Sequence, residues 1–112
     1  MRPEMSPASN EPGLSPLADI DQVIHNPTRL MLLSYLYVVE RADYVFLKNM
    51  SELSWGNLAT HLNKLEESGY VEIEKSFKGK KPHSSVHLTP QGRQAFRAYK
   101  KQMQQVLDDL PD

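Results

Sequence analysis

The sequence predicts a mainly α-helical fold with a small β-hairpin and a long C-terminal helix. Three leucines at helical spacing predict a helix over residues 55–68. Alternating apolar and polar side chains in the segments YVEIEK and SVHLT predict two short antiparallel strands after that helix. A heptad-like apolar stripe then predicts a last helix that runs towards residue 112.

Length and composition limit the classes of protein to which this chain can belong. Its 112 residues, 39% of them hydrophobic, are enough for one small domain with a compact core. The absence of cysteine excludes disulfides, zinc–thiolate sites and cysteine nucleophiles. The longest apolar run, residues 30–39, is about half the ~20 residues that cross a bilayer, and no signal-peptide pattern precedes it. We therefore expect a soluble, cytoplasmic protein without a membrane partner.

The charges are distributed very unevenly, although the formal net charge is only -1. Residues 1–74 hold five Lys or Arg against eleven Asp or Glu, residues 75–101 hold eight against none, and residues 102–112 hold none against three. Exposed charges act over about 10 Å at ordinary salt, so a polyanion would feel the local basic segment rather than the neutral total. A merely solvated lysine-rich face is the alternative interpretation.

The first half of the chain is expected to contain an arm and three helices. Residues 1–16 have four prolines and no apolar periodicity, which predicts a disordered or loosely docked arm. The folded domain is expected over residues 17–90, and its first element is predicted to be a short helix within residues 16–25. A second helix over residues 26–42 opens with an asparagine cap and a proline, and a third, shorter helix follows within residues 43–54.

The helix predicted over residues 55–68 has clear start and stop signals. Ser54 is a good N-cap, and Gly69 accepts the left-handed conformation that closes a helix. The two strands that follow are connected by a basic loop, residues 77–83, in which Gly79 and Pro82 are expected to supply the turn geometry.

The last helix begins at the Thr89–Pro90 pair, a typical cap and first position. Its apolar stripe fits a dimer seam, so residues 91–112 are predicted to be a dimerisation helix. The alternative is that the stripe packs on its own domain. The predicted dimerisation residues are Phe96, Tyr99, Met103, Val106 and Leu110.

The order of elements predicts a helix-turn-helix followed by a hairpin. Two helices joined by a turn of three or four residues can place the second helix in a DNA major groove about 12 Å wide. The segments NPTRLMLLSYL, LSWGNLATHLNKLEESGYVEIEK and VHLTPQGRQAF resemble winged helix-turn-helix regulators of the MarR and ArsR type over residues 20–100. This resemblance implies a transcriptional regulator that binds operator DNA as a homodimer, through the recognition helix and the hairpin, called the wing.

The polar face of the recognition helix supplies candidate contacts to bases and phosphates. Amide, hydroxyl and ammonium groups can bind base edges and phosphates, and a glycine early in the helix permits close backbone approach. Each residue has an alternative role: Asn57 helps to cap the helix, His61 borders the core, Lys64 is only solvated, and Trp55 packs beneath the wing, the role we favour. The candidate DNA-binding residues of this helix are Ser54, Trp55, Asn57, Thr60, His61 and Lys64.

Lysines at the wing supply a second set of candidate contacts. Lys78, Lys80 and Lys81 are positioned to meet phosphates or to reach a minor groove, unless they serve only to keep the loop soluble. On the last helix, Arg93 and Arg97 could add phosphate contacts or pair with acids of the first helix.

Two other classes of function compete with DNA binding. A winged helix that binds only protein would need an apolar or acidic recognition face, and that feature is mostly missing. An enzyme or a metal sensor is disfavoured because the four histidines are scattered, with no metal-binding or catalytic spacing, so we expect no cofactor. His83 and His87 are about 13 Å apart along a hairpin and do not form a ready ligand pair. The resemblance leaves room for a small-molecule effector, which the sequence does not identify.

Overall fold

The computed structural model describes residues 18–112 and folds them into four α-helices and a three-stranded antiparallel sheet. The predicted fold class is confirmed, and the predicted arm over residues 1–16 lies outside the described residues. In chain order the elements are α1 (Pro27–Val39), β1 (Arg41–Asp43), α2 (Tyr44–Ser51), α3 (Trp55–Glu67), β2 (Val71–Lys78), β3 (Lys81–Leu88) and α4 (Pro90–Asp109).

The predicted helix caps are confirmed. The Asn26 side chain accepts hydrogen bonds from the first turn of α1, the Ser54 hydroxyl accepts from the backbone N–H of Asn57, and the Thr89 hydroxyl accepts from that of Gly92. These bonds satisfy backbone donors that a helix start leaves unpaired. Gly69, with a φ of 80°, follows the end of α3 in the left-handed conformation expected for it.

The predicted first helix is wrong over the described residues. Residues 18–19 form a short 3₁₀ segment, and turns follow up to α1. The Asp21 carboxylate accepts from the backbone N–H groups of Val23 and Ile24 at 2.9 and 3.2 Å, and the His25 N–H donates to the Asp21 carbonyl at 2.8 Å, so a single capped turn forms and does not continue as a helix. Ile20 and Ile24 are nevertheless buried, which explains why their spacing looked helical.

The second predicted helix is too long, and a strand was missed at its end. Glu40 has a φ of 70°, which ends α1, and β1 follows at once. Arg41 and Asp43 pair with His87 and Ser85 of β3. A strand of three residues has no detectable alternation, and only its partner 44 residues further along the chain defines it.

The hairpin is longer and its loop shorter than predicted. Strands β2 and β3 pair from Val71 with Leu88 out to Lys78 with Lys81, which leaves a two-residue turn of Gly79 and Lys80. Gly79 has a φ of 65° and Lys80 does not, as in a type II′ turn with glycine first. Pro82 lies within β3, opposite Phe77, rather than in the turn. Proline is tolerated there because β1 pairs with β3 only at residues 85–87, so the other edge of β3 is free.

The strands of the sheet lie in the order β1-β3-β2. The sheet and the four helices enclose one apolar core. The turn between α2 and α3 spans residues 52–54 and includes Glu52 in the left-handed conformation, so the two helices form the predicted helix-turn-helix. No helix in residues 18–112 is both long and apolar enough to span a membrane. The largest fully buried side chains of the core are Ile24, Leu32, Leu33, Leu36, Leu47, Leu58, Leu62, Leu65, Val71 and Val86.

Candidate nucleic-acid interface

Helix α3 divides sharply into a buried and an exposed face. Leu58, Leu62 and Leu65 are fully buried. The opposite face is exposed and polar, and it is not covered by the described part of the chain. Its members are Asn57, Thr60, Asn63 and Lys64. A helix whose apolar side is fully used by the core leaves this polar side available for a partner.

The first turn of α3 is held by a cap that leaves Asn57 free for other contacts. The Ser54 hydroxyl is the cap, and Asn57 contributes only its backbone N–H, at 3.1 Å from the Ser54 oxygen. The Asn57 side chain is exposed, so the alternative in which this amide caps the helix does not apply. A Cβ placed on Gly56 would meet no atom within 4 Å, so the backbone here borders open space. A groove wall can therefore approach the helix backbone closely at Gly56.

Thr60 is exposed, whereas His61 is turned towards the body of the domain. The Thr60 hydroxyl donates to the carbonyl of Gly56 at 2.9 Å, and the residue is exposed to solvent. His61 is half-buried, and its Nδ1 lies 3.3 Å from an Arg29 nitrogen. Because arginine only donates, Nδ1 must accept, and burial together with the Arg29 charge lowers the pKa of His61. This contact with Arg29 favours the alternative in which His61 borders the core over a role in reading bases.

Trp55 does not pack beneath the wing, which was the role favoured from the sequence. Its side chain is 52% exposed at the first position of α3, and the Lys48 ammonium of α2 lies 5.6 Å from the ring centroid. This cation–π contact keeps the indole at the surface beside the helix start. The alternative role, stacking on a sugar, is therefore sterically available to Trp55.

The wing is exposed on all sides beyond the end of the core. Residues 74–82 are all exposed, and among them are the three predicted lysines, Lys78, Lys80 and Lys81. Side chains alternate between the two faces of a hairpin, so Lys75 and Phe77 share a face with the core residues Val71 and Ile73. Sequence reasoning missed Lys75 and Phe77 as interface candidates, although this alternation could have identified both.

A cleft of about 370 Å³ separates the exposed face of α3 from the wing. Asn63 and Glu66 line it from α3, Lys75 and Ser84 line it from the hairpin, and Tyr44 of α2 completes it. Burial, and then the nearby Glu66 charge, raise the pKa of the Tyr44 hydroxyl. The helix face and the core-side face of the wing thus form one continuous surface with a polar cleft between them.

The opposite face of the sheet is occupied by polar pairs between its own side chains. The Asp43 carboxylate lies 3.1 Å from His83, the Glu72 carboxylate lies 2.9 Å from His87, and the Arg41 guanidinium pairs with Glu74. The Arg41 guanidinium also lowers the pKa of Glu74. His83 and His87 thus each have their own carboxylate, and the described residues contain no group of three or more His, Asp or Glu side chains arranged to hold a metal.

Arg93 and Arg97 are engaged within the domain. The Arg93 guanidinium lies 3.4 Å from the Glu40 carboxylate and 4.5 Å from the centre of the Tyr37 ring. Arg97 donates to the Tyr37 hydroxyl at 3.1 Å, and this bond lowers the pKa of Tyr37. These contacts favour the predicted role of pairing within the domain over the predicted role of binding phosphates. The partners are Glu40, just after α1, and Tyr37, rather than acids of the predicted first helix.

The apolar stripe of α4 is largely used by its own domain. Phe96 and Tyr99 belong to the core, which corrects their assignment to a surface that faces a partner subunit. Val106 is also buried in the single chain, and Met103 is half-buried against the core. Beyond them, Leu107 is 60% and Leu110 is 43% exposed. Within the stripe of α4, the free apolar surface that a dimer seam needs is therefore found at the end of the helix.

Known proteins share both the fold and this arrangement of helix and wing. A family model for a winged helix DNA-binding domain matches residues 28–107, from α1 to the last turns of α4. The chain belongs to this family. The predicted resemblance to winged helix-turn-helix regulators is thereby confirmed.

One sequence relative and two solved structures are similar to this chain. An uncharacterized protein of Methanocaldococcus jannaschii is 36% identical over 78 residues, which are 70% of this chain and 85% of the relative. The structure of a transcriptional regulator homologue from Pyrococcus horikoshii OT3 is similar with a TM-score of 0.78 and 25% identity, covering 83% of this chain and 94% of that one. The transcriptional repressor BigR from Xylella fastidiosa gives a TM-score of 0.60 and 26% identity, covering 76% and 80%.

Proposed function

We propose that this winged helix domain is a transcriptional regulator that binds specific operator DNA as a homodimer. The observation that carries the proposal is the continuous surface formed by the polar face of α3, the cleft and the lysine-bearing wing. Its dimensions suit a duplex, because a helix of ordinary diameter fits a major groove about 12 Å wide and a hairpin can follow the neighbouring phosphates.

Within this proposal, α3 reads bases and the wing neutralises phosphates. Asn57 is suited to pair with adenine, because an amide can donate to and accept from the same base edge. Thr60 and Lys64 are suited to a thymine methyl or a phosphate, and Ser54 and Trp55 to the backbone at the start of the helix. Each wing lysine that meets a phosphate releases counterions, so binding should weaken as salt rises.

The proposed dimer uses the end of α4 rather than the whole apolar stripe. Exposed Leu107 lies in the last turn of the 20-residue helix α4, and exposed Leu110 directly follows that helix, whose first half packs on its own domain. Two copies joined there would present two recognition helices to successive major grooves, about 34–36 Å apart on one side of the duplex. The two solved structures, described as a transcriptional regulator homologue and a transcriptional repressor, support the proposed role in transcriptional regulation.

Selection of bound sequences from random duplexes is the experiment that tests the proposal. We expect enrichment of a palindrome, because a two-fold dimer reads two inverted half-sites. Fluorescence anisotropy on the selected duplex should then give an affinity that falls steeply between about 50 and 200 mM salt. No enrichment, together with no binding at low salt, would reject DNA binding and leave the protein-binding module as the better account.

A further inference from the structure

Phe77 is exposed in a position that the fold does not explain. Its side chain is 72% exposed on β2, opposite Pro82 of β3. On β2 the core ends four residues earlier, at Ile73, because every residue from 74 to 82 is exposed. A hairpin that only needed to stay soluble would carry a polar residue here, since exposed apolar residues on strand edges promote association.

The surroundings of Phe77 are basic and its orientation is specific. Four lysines and no acid lie within residues 75–82, and they are Lys75, Lys78, Lys80 and Lys81. Alternation places Phe77 and Lys75 on the core-side face of the wing, which continues into the cleft beside α3. Lys78 and Lys81 lie on the opposite face. Lysines therefore lie on both faces of the hairpin around Phe77. The ring itself lies on the face that adjoins the recognition helix.

The reach of the wing matches the geometry of a duplex. Phe77 is four residues beyond Ile73, the last partly buried position of β2, and a strand rises about 3.3 Å per residue, so it extends roughly 13 Å past the core. A duplex repeats about every 34 Å, so the minor groove lies about half a turn from a major groove that holds α3. That offset is comparable with the extension of the wing, and the minor groove, about 6 Å wide, admits the edge of a single ring on a narrow hairpin.

We propose that Phe77 is an apolar wedge that enters the minor groove next to the major groove occupied by α3. The inference rests on the proposed DNA-binding function and adds a specificity-determining residue to it. The ring inserts partly between two base pairs, while lysines on both faces of the hairpin bind the flanking phosphates. Such insertion unstacks the step and bends the duplex towards the major groove. Pyrimidine–purine steps, which unstack most readily, are therefore preferred beneath the wing.

A membrane surface is the other polyanion that takes up aromatic and basic side chains together. DNA is favoured here because Phe77 and Lys75 lie on the same surface as the exposed face of α3. Insertion into a bilayer would instead need a hairpin that projects away from α3. The assay therefore includes anionic vesicles made of phosphatidylserine and phosphatidylcholine.

The test compares Phe77→Ala with three other variants on the selected duplex. Phe77→Trp keeps an aromatic wedge, Lys80→Glu with Lys81→Glu changes only charge, and Val38→Ala truncates a side chain that is 79% exposed on α1. We expect Phe77→Ala to weaken binding about tenfold or more, as loss of a base–aromatic stack does. The slope of affinity against salt should stay unchanged, because phenylalanine releases no counterions. The lysine variant should flatten that slope, and the other two should bind like the wild type.

A structural readout accompanies the affinities. Duplexes with 2-aminopurine at successive positions should brighten at one step under the wing when wild-type protein or Phe77→Trp binds, and not with Phe77→Ala. Wild-type affinity and an unchanged 2-aminopurine signal for Phe77→Ala would overturn the wedge while DNA binding stands. Vesicle binding that needs Phe77, with DNA affinity independent of it, would likewise overturn it. A wild-type protein that binds no duplex at low salt would overturn the proposed function and the wedge together.

Discussion

The Tyr70 hydroxyl donates a hydrogen bond to the Asp21 carboxylate and so ties the start of β2 to the segment before α1. Burial and this bond raise the pKa of Tyr70 to about 12. The same carboxylate accepts from the backbone N–H groups of Val23 and Ile24. Asp21 thus organises the turn that replaces the predicted first helix and fastens it to the body of the domain.

A consequence is a specific loss of stability at high pH. Unfolded Tyr70 ionises near pH 10, whereas folded Tyr70 keeps its proton to about pH 12. The stabilisation that protonated Tyr70 contributes to the fold is therefore complete below about pH 10 and is lost as the pH rises through about 12. Urea unfolding at pH 8 and pH 11 should show a larger loss for the wild type than for Tyr70→Phe. Equal losses for the two proteins would contradict the assignment of this group.

The wing lysines should control the salt dependence of DNA binding. Lys80→Glu with Lys81→Glu is expected to weaken binding to all sequences and to reduce the slope of log affinity against log salt by about two. Lys100→Glu with Lys101→Glu on α4 makes the same change in net charge away from the wing and should leave the slope as it is. Equal slopes for both double variants, measured by anisotropy, would remove the wing from the interface.

Asn57 should affect base preference rather than folding. Asn57→Ala is expected to relax preference at one position of each half-site by about 1–3 kcal/mol, because the bidentate amide contact is lost. Ser54→Ala is the control, since it removes the cap and should lower stability by about 1 kcal/mol without relaxing preference. Repeating the sequence selection with both variants measures this difference. A selected site identical to that of the wild type would show that Asn57 reads no base.

Two glycines should respond to alanine in opposite ways. A Cβ on Gly92 would lie 2.1 Å from the carbonyl oxygen of Tyr70, so Gly92→Ala is expected to destabilise the fold by about 1–3 kcal/mol or more. Gly56 borders open space, and Gly56→Ala should raise helix stability by up to about 1 kcal/mol while it weakens DNA binding by crowding the groove. Thermal unfolding and anisotropy measure the two effects. Undiminished DNA affinity of Gly56→Ala would rule out close backbone approach.

The end of α4 should control assembly and not folding. Leu107→Asp with Leu110→Asp is expected to shift the protein from dimer to monomer in sedimentation velocity at micromolar concentration, with an unchanged helical signal. Phe96→Ala, which opens a cavity in the domain core, should instead lower the free energy of unfolding by about 3–5 kcal/mol. A double aspartate variant that sediments like the wild type would place any dimer contact elsewhere.

Local signals predicted the long helices and their caps well, because Ser54, Gly69 and Thr89 act on neighbouring backbone groups. Local signals gave wrong predictions where contacts with residues far along the chain determine the structure. The three residues of β1 are a strand only because β3 lies beside them. Phe96 and Tyr99 look like a coiled-coil seam in sequence, yet the core of their own domain covers them. His61 contacts Arg29, 32 positions away, and no local signal indicates that contact.

Recognition helix, wing and α4 meet at a single junction. The backbone N–H of Thr89 donates to Tyr70 at 3.0 Å, its hydroxyl donates to Gly69 at 2.6 Å, and Gly92 packs against the same carbonyl of Tyr70. Because these hydrogen bonds fix α4 to the segment between α3 and β2, we expect a change in the orientation of α4 to be transmitted to the recognition helix and the wing together.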